Sequence, residues 1–138
     1  MNHDRYIFDS YALLCFFKNE PGADQVEHLL EAAEDKRIEI FLSMINLAEI
    51  YYIVHREYGE EEALEKVLLI TNMPIKIINI AIELALTAAK VKSIHPIALG
   101  DCFAIGLAKQ KNATAVTADP EFKSVENEID ILWLPVKR

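Results

Sequence analysis

The sequence predicts an α/β fold: a three-layer sandwich in which helices flank a largely parallel central sheet of about five strands. Three observations carry this expectation. Short apolar runs near 5–8, 38–42, 75–78, 114–117 and 129–133 have strand length and are bounded by polar or turn residues. Most are joined through longer stretches with helical patterning, and right-handed crossovers then place helices on both sheet faces. The 138 residues, 52% of them apolar, suit one domain over 1–138 with a core of ordinary size.

Taken in order, "RYIFDS" is a compact apolar run closed by Asp9 and Ser10, the first strand. In "YALLCFFKNEPGADQVEHLLEAAEDK", Pro21-Gly22 separates a short helix from a longer amphipathic one with Val26, Leu29, Leu30 and Ala33 on one face. "IEIFLS" is the second strand, and Ser43 can cap the helix "MINLAEIYYIVHREYG", which stops at Gly59. "EEEALEKVLLITN" is helical, with its acids at the N-terminal end where the helix dipole favours them. "PIKIINI" reads as strand, "AIELALTAAKVKSI" and "GDCFAIGLAKQKN" as helices, "ATAVTAD" as strand, and "EIDILWLP" as a final or edge strand.

Composition narrows the function classes. A formal net charge of -8 argues against tight non-specific binding to bulk nucleic acid, which needs a basic face. It does not exclude an enzyme acting on nucleic acid, because bound divalent cations invert the field of an acidic pocket. Cys15 and Cys102 lie in apolar surroundings without a CxxC or a neighbouring His, and read as small buried thiols in a reducing compartment. The start MNHDRYIFDS lacks the apolar stretch of a signal peptide, and the apolar runs fall short of membrane-spanning length. The expectation is a cytoplasmic protein with no membrane partner.

Ligands of such folds collect at the carboxyl ends of strands. Asp9 directly follows the first strand, Asp119 follows the fourth, and Glu49 lies six residues beyond Ser43 in the helix after the second. Asp101 heads an otherwise apolar helix in "LGDCFAIGLAK". Two helical patterns between the third and fourth strands let that helix start at either edge. Each acid also has a plainer reading. Asp9 suits a turn, Asp119-Pro120 an N-cap followed by proline, Glu49 a solvent-facing stripe and Asp101 a cap. Gathered together, the four would repel one another unless cations compensate. An oxygen-only set suits Mg²⁺ or Mn²⁺ rather than zinc, and such ions activate water for attack on a phosphodiester.

Four blocks, "YIFDSYALL" (6–14), "SMINLAEIYYIV" (43–54), "LGDCFAIGLAK" (99–109) and "AVTADPEF" (115–122), resemble the successive acidic motifs of PIN-domain proteins. The closest likeness is to VapC-type toxins of toxin–antitoxin pairs, over residues 5 to 134. The resemblance implies a PIN-like sandwich and a metal-dependent endoribonuclease that leaves a 5′-phosphate end. Asp9, Glu49, Asp101 and Asp119 match the family's metal-binding acids, while Ser10, Ser43 and Thr117 match its supporting hydroxyls. It also implies a homodimer, an antitoxin partner covering the site, and contact with DNA only through that antitoxin.

One departure is the acidic charge, since RNA-cleaving members often frame the site with basic residues. Arg5, Lys90, Lys92, His95, Lys109 and Lys111 are the candidates for RNA contact near the motifs, each read first as a solvated surface residue. The alternative function on the same fold is a non-catalytic RNA- or protein-binding module. An aspartyl-phosphate phosphatase is disfavoured because Tyr11, not a second aspartate, stands two residues after Asp9.

Overall fold

The computed structural model describes residues 4–136. Five parallel strands, β1 (Arg5–Phe8), β2 (Glu39–Ser43), β3 (Lys76–Ile78), β4 (Thr114–Thr117) and β5 (Ile131–Trp133), form one sheet in the order β3-β2-β1-β4-β5. From β1 the chain builds outward through β2 to β3, crosses over the sheet, and builds outward again from β4 to β5. The reversal of winding falls between β1 and β4, whose Phe8 and Val116 are register partners. In an open α/β sheet that crevice is where ligands bind.

The connections follow from local chemistry. Asp9 caps α1 (Ser10–Phe17), its Oδ1 accepting from the Ala12 N–H at 2.9 Å. Gly22 then turns the chain into α2 (Ala23–Glu34) with φ +102°, a conformation that glycine adopts without a Cβ clash. Ser43 ends β2 and caps α3 (Met44–Tyr58), accepting from the Asn46 N–H. Gly59, with φ +96°, breaks that helix from α4 (Glu60–Thr71), whose first turn carries Glu60, Glu61 and Glu62. The crossover contains α5 (Ile82–Ile94) and α6 (Leu99–Lys111), and a 3₁₀ segment (Pro120–Val125) follows β4.

Strand alternation sorts the interior into two layers. Ile7, Phe41 and Ala115 face α5 and α6, packing with Leu84, Ala88, Ile105 and Leu107. Their neighbours Phe8, Ile40, Leu42 and Val116 face the other side and pack with Leu13, Val26, Ile50 and Val54. The architecture is the expected three-layer sandwich, with a wholly parallel sheet.

Element limits differ from the sequence expectation by small shifts at strand ends. β5 begins at Ile131 rather than 129, because the Glu128 and Ile129 N–H groups still bond back to the Val125 carbonyl. Cys15 and Cys102 are free and buried, and burial pushes the Cys15 thiol up to about 11. Among the described residues, no single helix is long and apolar enough to cross a membrane.

Candidate metal centre of clustered carboxylates

Topology brings the four predicted acids to one edge of the sheet. Asp9 leaves the end of β1 and Asp119 lies two residues past β4, on the two sides of the reversal point. The crossover resolves the open question about Asp101. Because α6 must end at the amino edge, where Asn112 and Ala113 lead into β4, it starts at the carboxyl edge. Asp101 is therefore in the first turn of α6, and it is not the cap, which is Ala98. Glu49 projects from α3 towards the same turn, against Gly100.

Asp9 is held from two sides. One oxygen takes the Ala12 N–H, and the other accepts from the Thr117 hydroxyl, which is itself fully buried. The Thr117 Oγ1 also accepts from the Asp119 N–H at 3.0 Å, so one hydroxyl ties the first acid to the backbone of the last. Asp119 caps the 3₁₀ segment, its Oδ1 accepting from the Glu121 N–H at 2.9 Å. The capping readings of Asp9 and Asp119 are thus correct as far as they go. In each case capping fixes the carboxylate at the site.

Mutual repulsion and burial show in the protonation equilibria. Burial raises Asp9 from 3.8 to about 7, against the lowering effect of the Thr117 and Ala12 hydrogen bonds, and Asp119 and Glu49 add to the rise. Asp101 is raised to about 9 by burial, by a side-chain hydrogen bond with Asp119, and by the charges of Asp119, Asp9 and Glu49. Among the described residues, none of the four acids pairs with a Lys, Arg or His.

The supporting hydroxyls divide. Thr117 touches Asp9 directly, whereas Ser43 works at one remove: its hydroxyl donates to Asn46 Oδ1 at 2.7 Å. Asn46 Nδ2 in turn donates to Glu49 Oε1 at 2.8 Å and to the Gly100 carbonyl at 3.1 Å. Ser10 opens α1 next to Asp9, half-buried. Three residues at this edge were not singled out from the sequence. Asn46 and Gly100 are two; the third is Glu121, whose carboxylate offers an oxygen within 4.8 Å of those of Asp101 and Asp119. Glu121 Oε1 also accepts from the Ala98 N–H at 2.9 Å, tying the 3₁₀ segment to the start of α6. The legible signal was its place two residues after Asp119, in "DPEF".

Three of the six basic candidates lie away from the acids, in keeping with a surface role. Arg5 opens β1 at the amino edge of the sheet, and its Nη1 donates to the carbonyl of Lys111, the last residue of α6. Lys109, in the last turn of α6, pairs with Glu128. These three residues therefore lie at the edge opposite the acids. For Lys109 and Lys111, α6 carries its C-terminal residues across the height of the sheet, away from the motif at its start. His95 is bonded to Glu128, Lys92 Nζ donates to the Ile97 carbonyl, and Lys90 is exposed on α5.

The profile of the PIN domain family matches residues 6–128. The chain belongs to the PIN-domain family. Several solved structures share the fold of this PIN domain. A chain of the Rickettsia felis VapBC2 complex, bound to a promoter DNA fragment, superposes with TM-score 0.75 at 22% identity, over 95% of this chain and 99% of that one. DNA-bound VapBC from Salmonella typhimurium gives TM-score 0.75 at 18% identity, covering 93% and 96%. Mycobacterium tuberculosis VapC20, a Sarcin-Ricin loop cleaving toxin, gives 0.68 at 13%, covering 88% and 94%. Comparison with curated protein sequences finds no match.

Proposed function

We propose that this PIN domain is a Mg²⁺- or Mn²⁺-dependent endoribonuclease, acting in the cytoplasm as the toxin of a toxin–antitoxin pair. The observation that carries the reading is the convergence of Asp9, Glu49, Asp101 and Asp119 at the reversal point of the sheet without a basic partner. Similarity to chains of VapBC complexes supports the toxin assignment and an antitoxin partner, through which any contact with DNA would be made.

The donor set fits a hard divalent cation. It is all oxygen, it is anionic, and it holds two acids whose raised proton affinity marks a deficit of positive charge. Asp9, Glu49 and Asp101 would hold the principal ion, and Asp119 would support a second or orient water. A bound ion supplies a water of lowered pKa and stabilises charge developing on the scissile phosphate. The chain's own residues supply rigidity. Thr117 and the Ala12 N–H fix both oxygens of Asp9, and the Glu121 N–H fixes one of Asp119. The ligand geometry is thereby set before substrate arrives.

Homodimerisation is part of the same proposal. Tyr52 and Tyr58 on α3 are 44% and 57% exposed, and α5 shows Ile82, Leu86 and Ile94 to solvent. The direct test is cleavage of RNA by purified protein with Mn²⁺ or Mg²⁺. Activity should require the ion, and Asp9→Asn and Asp101→Asn should each lower it by at least about 100-fold. Cleavage that persists in both variants, or an inert wild type that takes up no Mn²⁺, would refute the reading.

A further inference from the structure

Glu49 differs from the other acids in how it is held. Asp9 and Asp119 are fixed by the backbone of elements they cap, and Asp101 by its place in the first turn of α6. Glu49 sits inside α3 on a longer and more flexible side chain. Two features outside the four acids restrain it.

The first is Asn46, a side-chain amide with no exposure in the interior. It lies one helical turn before Glu49, so the two side chains share a face. Its hydrogen bonds are complete. Oδ1 accepts from the Ser43 hydroxyl, while Nδ2 donates to Glu49 Oε1 and to the Gly100 carbonyl. The orientation of the amide follows from this arrangement, because the reversed amide would turn its oxygen towards a carboxylate and a carbonyl. Asn46 is thus a bracket between the helix carrying Glu49 and the turn carrying Asp101.

The second is Gly100. Its backbone is ordinary helix, so conformational freedom does not explain a glycine there. Space does. A Cβ at this position would stand 2.1 Å from Glu49 Oε2, 2.4 Å from Cδ and 2.6 Å from Oε1. The carboxylate occupies the volume that any other residue would fill.

We propose that Asn46 and Gly100 are the positioning residues of the Glu49 carboxylate: Asn46 grips one of its oxygens, and the bare Cα of Gly100 is the seat in which it rests. This rests on the reading of the acids as a metal centre, and adds which neighbours make Glu49 competent to join it. Outer-shell partners of this kind are worth about 10- to 100-fold in metal affinity.

The test measures Mn²⁺ affinity by electron paramagnetic resonance, alongside the thermal unfolding midpoint, in wild type, Asn46→Ala, Gly100→Ala, Glu49→Ala and the doubles N46A/E49A and G100A/E49A. Gly100→Ala is the cleaner variant: its collision is with the end of a flexible side chain, and alanine favours helix. It should keep the wild-type midpoint or better and bind Mn²⁺ about tenfold more weakly. Asn46→Ala should bind weakly too, with a lower midpoint from the buried side-chain hydrogen bonds it removes from Ser43, Glu49 and Gly100. In the Glu49→Ala background Gly100→Ala should not weaken binding further, and Asn46→Ala should weaken it less than it does in wild type, since both act through Glu49 and Asn46 also braces the turn of Asp101; a merely structural effect would add in full. Wild type that binds Mn²⁺ while Gly100→Ala binds within twofold of it would overturn the positioning roles and leave the metal centre standing. Full additivity in the doubles would do the same. Wild type that binds no Mn²⁺ would overturn the metal centre and this inference with it.

Discussion

At Asp9 a carboxylate does two jobs that usually compete. Capping α1 favours its charged form, while burial and the nearby acids favour the neutral one, and the balance leaves it raised to about 7. Asp101 is raised further, to about 9. For acids raised on folding, the native state holds protons that the unfolded chain releases near pH 4. Stability is then greatest below that pH and is lost as pH rises, through about 7 for Asp9 and about 9 for Asp101. Without divalent cation, the unfolding midpoint should fall as pH rises from 5 to 9. Asp9→Asn should flatten part of that slope, and saturating Mg²⁺ should remove most of it. A midpoint that climbs with pH over this range would contradict the account. At this scale the four acids were legible from their places after strands and at a helix head. Asn46 and Gly100 were not, because their roles rest on a contact between α3 and α6, 54 residues apart in sequence.

The elements meet most closely where α5 crosses α6. Gly106 lies against Ala88, and a Cβ there would come within 3.2 Å of the Ala88 nitrogen, with Leu84 Cδ1 at 3.5 Å. The contact lets α6 lie close to both α5 and the sheet, which in turn holds Asp101 at the carboxyl edge. Gly106→Val should destabilise the fold by about 1–3 kcal/mol through overpacking, seen as a lower denaturant midpoint. Gly106→Ala should cost less than Gly106→Val, since it adds only the Cβ and alanine favours helix, although the Ala88 backbone must still give by a few tenths of an ångström. Equal stability of Gly106→Val and wild type would show that the crossing is looser than it stands here. Strand existence and order of elements were readable from periodicity. The direction of α6 was not: it depends on the crossover passing from β3 at one sheet edge to β4 beyond β1, a long-range pairing with no local signature. The direction of α6 also sets Lys109 and Lys111 at the edge opposite the acids.

Across the whole molecule, charge and function meet at one place. A chain of net charge -8 concentrates one buried and three half-buried carboxylates at the reversal point of a parallel sheet, with no basic side chain paired to them among the described residues. Divalent cations would supply positive charge there and turn an acidic pocket into one that accepts a phosphodiester. The most direct measurement of the central claim is anomalous X-ray scattering from crystals soaked in Mn²⁺. The account predicts a strong peak bounded by Asp9, Glu49 and Asp101, lost in crystals of Asp9→Asn. Absence of a peak there at millimolar Mn²⁺, or a peak at another part of the surface alone, would contradict it.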